Sequence, residues 1–155
     1  MATVTTYIDV PPPEVYCVLA DGWYYSGWVV GTSHVQAVEE SWPAVGSRLF
    51  HASGVWPAAL ADETSVDEVT PNERLALTAR VRPFGEAHIE IGLTAEGDGT
   101  RVTLTENPIS GPGRWLHNQA TDAILHRRNV ESLARLAARC ERRTTRRGSD
   151  AASGW

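Results

Sequence analysis

The chain has 155 residues, of which 42% are hydrophobic and 21% are charged. This length and composition predict one globular domain and exclude a largely disordered chain. The net charge of −5 argues against a general nucleic-acid-binding surface.

The first forty residues predict one strand, a short helix and a second strand. Residues 3–10 alternate polar and apolar side chains and include several β-branched ones, which is typical of a strand. Pro11, Pro12 and Pro13 end this strand and suit the first turn of a helix, which is predicted over residues 14–20. An aromatic segment occupies residues 23–28, and residues 33–40 predict the second strand.

Five further strands follow, each separated from the next by a turn sequence. They are predicted at residues 48–55, 60–69, 74–82, 87–93 and 100–107. Gly97 and Asp98 lie between the last two strands and are typical of a hairpin turn. Strands that follow one another this closely predict one antiparallel meander.

A change of the apolar period to about 3.6 residues predicts a long helix over residues 112–143. Its apolar stripe is predicted to contain Leu116, Ala120, Ala123, Val130, Leu133, Ala134 and Ala137. Residues 144–155 are small and polar, so we expect a flexible tail there. The domain itself is therefore predicted to span residues 1–143.

These elements predict an α+β fold. A curved seven-stranded antiparallel sheet wraps around the long C-terminal helix, with two short helices after the first strand. The apolar face of such a sheet has to be covered, and the long helix is the only element large enough. A curved sheet around one helix leaves space between them, so we expect an internal cavity.

Five short motifs occur in order along the chain. They are Pro13, Val15, Val18, Leu19 and Asp21 in the first helix; Trp28-Val29-x-Gly31; Trp42-Pro43-x-Val45-Gly46-Ser47; Gly99-Thr100-Arg101-Val102-Thr103; and Arg128-Asn129-x-Glu131-x-Leu133-x-Arg135-Leu136. Over residues 3–143 the chain resembles the START-related helix-grip superfamily, which includes the birch-pollen-allergen proteins, and within it the bacterial polyketide cyclase/dehydrase-like branch. The resemblance implies a cavity for a hydrophobic ligand. It does not imply one reaction, because members include cyclases, dehydratases and lipid carriers.

The alternation of side chains along the strands predicts which residues line the cavity. The inward residues of the predicted strands are Leu49, His51, Ser53, Asp62, Thr64, Leu77, Ala79, Ile89, Ile91, Leu104 and Glu106. Pairing through the turns places Ala79 opposite Ile89, Leu77 opposite Ile91 and His51 opposite Thr64. It also places Ile89 opposite Glu106 across the last hairpin.

Side chains from the helices are expected to complete the lining. Trp23, Tyr24, Tyr25 and Trp28 are interpreted as a lid, with plain core packing as the alternative. On the long helix, Trp115, Gln119, Ala123, His126 and Val130 are placed on or beside the inward stripe. The cavity is therefore expected to be apolar with a few polar groups, which is typical of a small-molecule site.

Three residues are candidates for acid/base chemistry: His51, Glu106 and His126. A histidine beside Glu106 or Asp62 would suit proton abstraction next to a carbonyl group. The alternative for the two carboxylates is a structural position at the rim, hydrogen-bonded to the backbone. The alternative for each histidine is a hydrogen-bonded core side chain.

Other chemistries lack their signatures. The chain has no GxSxG, HExxH, phosphate-binding loop or GxGxxG motif, and its histidines show no ligand spacing, so we expect no metal and no cofactor. The arginine-rich run near the C-terminus is interpreted as a solvent-exposed helix end, with an anionic partner as the alternative.

Compartment and partners follow from simple features. The N-terminus has no secretory signal, no apolar run approaches the roughly 18 residues of a membrane span, and Cys17 and Cys140 form no Cys-x-x-Cys pair. We therefore expect a cytoplasmic protein without stable membrane insertion. Its partner is expected to be a small hydrophobic ligand, and the oligomeric state stays open.

Three functions remain open from the sequence. The first is a module that binds a lipid-, aromatic- or polyketide-like molecule in the cavity. The second is a cyclase or dehydratase that uses acid/base residues in the same cavity. The third is a protein-interaction module with a closed cavity.

Overall fold

The computed structural model describes residues 1–54, 60–83, 85–115 and 118–153. The elements follow the predicted order. They are β1 (Ala2–Ile8), α1 (Pro12–Leu19), a 3-10 turn (Gly22–Tyr24), α2 (Tyr25–Trp28), β2 (Thr32–Val38), β3 (Arg48–Ser53), β4 (Leu60–Thr70), β5 (Arg74–Val81), β6 (Gly85–Glu96), β7 (Gly99–Ser110), α3 (Pro112–Trp115) and α4 (Gln119–Ala152).

Seven strands form one antiparallel sheet in the order β1-β7-β6-β5-β4-β3-β2. The six strands after the short helices form a meander, and β1 pairs with β7 to extend its end. The predicted curved sheet around a C-terminal helix is therefore confirmed. One core fills the space between them, with Leu49, Leu75 and Ile91 of the sheet packed with Leu133 and Leu136 of α4.

The predicted inward faces of the strands are correct, but two registers are wrong. Ile89 does lie opposite Glu106, as predicted. Leu77 lies opposite Ile89, however, and Ala79 lies opposite Ala87. The strand ladder starts at Gly85, where a side chain would collide with the backbone oxygen of Ser110, so the turn is centred one residue earlier than predicted.

The connection between β3 and β4 shows the same two-residue shift. His51 lies opposite Asp62, and Leu49 lies opposite Thr64. A shift of two residues keeps every side chain on its predicted face, because the strand period is two. The predicted turn residues Trp56 and Pro57 lie outside the described residues.

The buried face of α4 is not the predicted one. Its buried residues are Asn129, Ser132, Leu133, Leu136 and Cys140. Ala120, Ala123, Val130 and Ala134 are exposed, Leu133 is buried as predicted, and Leu116 lies outside the described residues. The true stripe is rotated by about one residue, or about 100°. An apolar wheel misses it because Asn129 and Ser132 are polar and are buried with hydrogen-bond partners.

The ends of the long helix also differ from the prediction. Asn118 caps α4 by accepting a hydrogen bond from the backbone N–H of Thr121, so α3 and α4 are separate helices. At the other end the helix continues through Ala152, beyond its predicted end at residue 143. Arg147 ties this end to α1 through an ion pair with Glu14 at 2.9 Å. Within the part of the chain that the structure describes, no helix is both long and apolar enough to cross a membrane.

Candidate functional site

Two small chambers lie between the sheet, α2 and α4. Their volumes are about 20 Å³ and about 70 Å³. They share walls made by Tyr25, Val29, Ile89, Glu106 and Arg128. The smaller chamber adds Trp28, Leu77, Leu104, Asn129 and Ser132, and the larger adds Val30, Gly31, Thr32, His51, Ser53 and Ala79.

The size of the chambers limits what the closed form holds. A buried water needs roughly 10–15 Å³ of such space, whereas a cavity that binds benzene measures roughly 150 Å³. The chambers therefore accommodate water molecules, and an aromatic ring enters only if a wall moves.

A chain of four hydrogen-bonding side chains runs beside the larger chamber. Nε2 of His51 lies 3.0 Å from Oγ1 of Thr64, and the Tyr25 hydroxyl lies 3.3 Å from the same oxygen. Nδ1 of His51 lies 3.2 Å from Oγ of Ser53. The hydrogen bonds along this series can run in either direction, because each of the four side chains can both donate and accept a hydrogen bond. In one direction the Tyr25 hydroxyl donates to Thr64, and in the other it is free to donate to another acceptor.

Burial keeps His51 neutral. His51 is buried, and loss of solvent lowers the pKa of its ring, although the nearby Asp62 carboxylate opposes that shift. The neutral ring has one donor and one acceptor nitrogen, and the hydroxyl groups of Thr64 and Ser53 can pair with either. His51 is thus neutral at rest, with one ring nitrogen able to accept a hydrogen bond or a proton.

Tyr25 is held against His51 and kept protonated. Its ring stacks on His51 with centroids 5.5 Å apart and meets Trp28 edge-on at 5.7 Å. Burial raises the pKa of the Tyr25 hydroxyl, with smaller opposing effects from the Thr64 hydrogen bond and Arg128. The site therefore places a neutral acid, Tyr25, and a neutral base, His51, on the same hydroxyl of Thr64.

Glu106 forms the charged part of the site. Its Oε2 forms an ion pair with Nη2 of Arg128 and accepts a hydrogen bond from Nδ2 of Asn129 at 2.9 Å. The Glu106 side chain is 4% exposed, whereas that of Arg128 is 28% exposed. A buried carboxylate needs such partners, and here both come from α4.

Asp62 is buried but belongs to the edge of the site. Its carboxylate accepts the backbone N–H of Arg82 at 3.3 Å and lies 3.6 Å from Nε of the same residue. It faces His51 across β3 and β4, yet no hydrogen bond joins these two described side chains. Asp62 therefore acts on His51 through its charge and not as a direct partner.

The family described as Polyketide cyclase / dehydrase and lipid transport matches residues 1–141. The chain belongs to this family. No curated protein matches its sequence. The inferred resemblance to the START-related helix-grip superfamily is thus confirmed.

Several solved structures have the same fold as this chain at low sequence identity. Protein NE0264 from Nitrosomonas europaea is 18% identical with a TM-score of 0.71, over 92% of this chain and 95% of that one. The Zhui aromatase/cyclase from Streptomyces sp. R1128 is 19% identical with a TM-score of 0.68, over 92% and 94%. DynU16 of the dynemicin biosynthetic locus is 22% identical with a TM-score of 0.66, over 90% of this chain, which spans 46% of that longer one.

Most strand residues expected to line the cavity do face inward. The chamber walls contain His51, Ser53, Leu77, Ala79, Ile89, Leu104 and Glu106, together with Trp28 from α2. Leu49, Asp62, Thr64 and Ile91 are buried just behind those walls. The structure thus brings the two candidate catalytic residues His51 and Glu106 to one chamber.

The expected helix and lid residues lie elsewhere. Gln119, Ala123, His126 and Val130 are exposed on the outer side of α4, so His126 does not meet Glu106 or Asp62. Trp115 is 87% exposed and Trp23 is also exposed. Tyr24 is partly buried beneath the Arg139 guanidinium, whose carbon lies 4.4 Å from the ring centroid. The wrongly predicted inward face of α4 explains the positions of its four residues, Gln119, Ala123, His126 and Val130.

Sequence reasoning missed the polar contribution of α4. Arg128, Asn129 and Ser132 all line the chambers. Ser132 Oγ accepts the backbone N–H of Val30 at 3.1 Å and so joins α4 to the segment after α2. Polar residues at i and i+3 spacing, flanked by Leu133 and Leu136, were the available signal.

Proposed function

We propose that the chain binds a small, largely apolar molecule in the space that the two chambers occupy. The observation that carries this proposal is the shared wall of Tyr25, Val29, Ile89, Glu106 and Arg128, where apolar surface meets a few polar groups. Burial of apolar ligand surface supplies about 25 cal/mol per Å², and the polar groups orient the ligand.

Binding of a molecule as large as an aromatic ring requires the small chambers to widen. The segment from Val29 to Thr32 forms one wall of the larger chamber, and two hydrogen bonds join its middle to α4 and to the residue after β3. The Val30 N–H donates to Ser132, and the Gly54 N–H donates to the Gly31 carbonyl at 3.1 Å. Outward movement of Val29 to Gly31 would widen the larger chamber, with Thr32 held in the sheet by its pairing with Ser53.

The second candidate function is an acid/base reaction on the bound molecule, of the cyclase or dehydratase type. The hydrogen-bonded chain of Tyr25, Thr64, His51 and Ser53 favours it. Tyr25 would donate a proton to a carbonyl oxygen of the substrate. The carbon next to that carbonyl would lose a proton to His51, and a proton would then pass from His51 through Thr64 to Tyr25, so that Tyr25 is protonated again and His51 is neutral again.

The two functions separate by mutation. In an enzyme, Tyr25→Phe and His51→Gln lower turnover while affinity for the substrate is retained. In a carrier they change affinity only. His126→Gln is the matched control, because His126 is exposed on the outer side of α4. Closed chambers without any ligand would instead favour a protein-interaction module.

The binding proposal is tested by thermal unfolding with small aromatic hydrocarbons from benzene to naphthalene. A ligand that binds only the folded state stabilises it by about 1.4 kcal/mol at ten times its Kd. We expect at least one hydrocarbon to raise the melting temperature of the wild type. Ala79→Leu fills the larger chamber and should abolish the shift, whereas Val130→Leu on the outer side of α4 should keep it. No shift in the wild type with any hydrocarbon would contradict the proposal.

A further inference from the structure

Within the described part of the protein, only one of the two carboxylate oxygens of Glu106 accepts hydrogen bonds. Both of its partners, Arg128 and Asn129, bind Oε2. Oε1 accepts no hydrogen bond from any described residue, and it is not sealed off from the chambers. An accessible carboxylate oxygen takes its hydrogen bonds from water, which a donor group of a ligand can replace.

The position of this oxygen points to a ligand. Glu106 lies on the wall that both chambers share, so a donor bound there contacts both spaces. Asn129 is itself buried and fixes the carboxylate from behind. The acceptor is therefore held in place before any ligand arrives, which favours recognition.

The charges around Glu106 select the kind of donor. Arg128 already neutralises the carboxylate, so the pair has no net charge. A charged ligand would therefore gain little net attraction from the pair and would lose its own hydration in this largely buried site. A neutral hydroxyl group donates a hydrogen bond to Oε1 without that cost.

Arg128 is the solvent-facing member of the cluster around Glu106. Its side chain is 28% exposed, so the guanidinium already reaches water at one side. Long charged side chains keep their head groups solvated at little cost. Asn129 and Glu106, in contrast, are buried.

We infer that the ligand of this site is a neutral molecule bearing a hydroxyl group that donates to Oε1 of Glu106, while the ion pair between Glu106 and Arg128 is kept. This inference rests on the proposed binding function and names the functional group that the site recognises. It makes Glu106 a specificity-determining residue, whether or not a reaction follows.

The test compares phenol with toluene, which differ in one hydroxyl group and have nearly the same shape. Nuclear magnetic resonance titration gives both Kd values and detects the side-chain amide of Asn129. A hydrogen bond to a charged acceptor supplies about tenfold or more in affinity, so phenol should bind the wild type at least tenfold more tightly than toluene. Only phenol should shift the Asn129 amide signals strongly.

A matched pair of variants locates the effect. Glu106→Gln keeps the size of the side chain and removes its charge, and the preference for phenol should fall to about threefold or less. Glu90→Gln changes an exposed carboxylate on the neighbouring strand β6 and should leave the preference unchanged. If the Glu106 variant does not fold, a shift of the Asn129 amide signals by phenol and not by toluene locates the effect instead.

The outcomes separate this inference from the function on which it rests. Toluene binding as tightly as phenol would overturn the inference and leave the binding function intact. Failure of both probes to bind would overturn both. A preference for phenol that survives in Glu106→Gln would also overturn the assignment to Glu106.

Discussion

Nδ2 of Asn129 donates a hydrogen bond of 2.9 Å to Oε2 of Glu106, which joins the middle of α4 to β7. Both residues are buried. This contact sets the rotation of α4 about its own axis, because it places a polar side chain where an apolar one would otherwise pack. It also fixes the carboxylate on the shared wall of the two chambers.

Replacing Asn129 tests how much this contact contributes to the free energy of unfolding. Asn129→Leu removes the donor and leaves Oε2 with Arg128 alone, so the free energy of unfolding should fall by about 1–3 kcal/mol. Urea denaturation measures it. Val130→Leu changes the next residue, which is exposed, and should stay within about 0.5 kcal/mol of the wild type. Equal effects of the two substitutions would contradict the assigned helix face.

The lowered pKa of His51 predicts a pH dependence of stability. Burial lowers the pKa of His51 in the folded state, so the unfolded state takes up a proton first as the pH falls below about 6.5. The free energy of unfolding should therefore decrease from pH 7.5 to pH 5. His51 contributes a slope of at most about 1.4 kcal/mol per pH unit.

His51→Gln isolates this contribution, since the difference between the two proteins cancels the other titrating groups. The wild type should lose stability more steeply than the variant over that range, as measured by urea denaturation at each pH. Parallel curves would show that His51 titrates alike in the folded and unfolded chains.

The link between α4 and the segment after α2 is also testable. Ser132→Ala removes the acceptor for the Val30 N–H. Local opening of that segment should become easier by about 1 kcal/mol, so amide hydrogen exchange at Val30 should accelerate about fivefold. Ser149→Ala, in the exposed last turns of α4, serves as the control. Unchanged exchange at Val30 would mean that Ser132 does not fasten the segment.

The two cysteines should differ strongly in reactivity. Cys140 is buried against the core, and burial raises the pKa of its thiol from 9.0 to about 12. Cys17 is exposed. Because the thiolate is the reactive form, labelling with a disulfide reagent at pH 8 should show one fast thiol and one slow thiol. Cys17→Ser should remove the fast phase, and a fast phase that persists in this variant would contradict the burial of Cys140.

The strand half of the site was predictable from sequence, whereas the helix half was not. Alternation with a period of two placed His51, Ala79, Ile89 and Glu106 on the inward face even where the register was wrong by two residues. A helix wheel has no such protection. The predicted apolar stripe of the long helix consisted largely of alanines. Alanine is apolar but buries little surface, so it is tolerated on either side of a helix.

The residues that sequence reasoning missed are those whose burial depends on a distant partner. Asn129 is buried because Glu106 accepts its hydrogen bond, and Arg128 faces inward because the same carboxylate attracts it. Neither partner is visible from local periodicity, since 22 or more residues separate them along the chain. Their importance follows only once β7 and α4 are placed together.

The central claim is that the space between the sheet, α2 and α4 holds a small molecule. It is tested most directly by mass spectrometry of an organic extract of the protein purified from its native host, with Ala79→Leu purified in parallel as the blank. A stoichiometric, largely apolar and hydroxyl-bearing compound in the wild type and its absence from the variant is the expected result. The same amount of compound per protein in the wild type and in Ala79→Leu would contradict binding at this site.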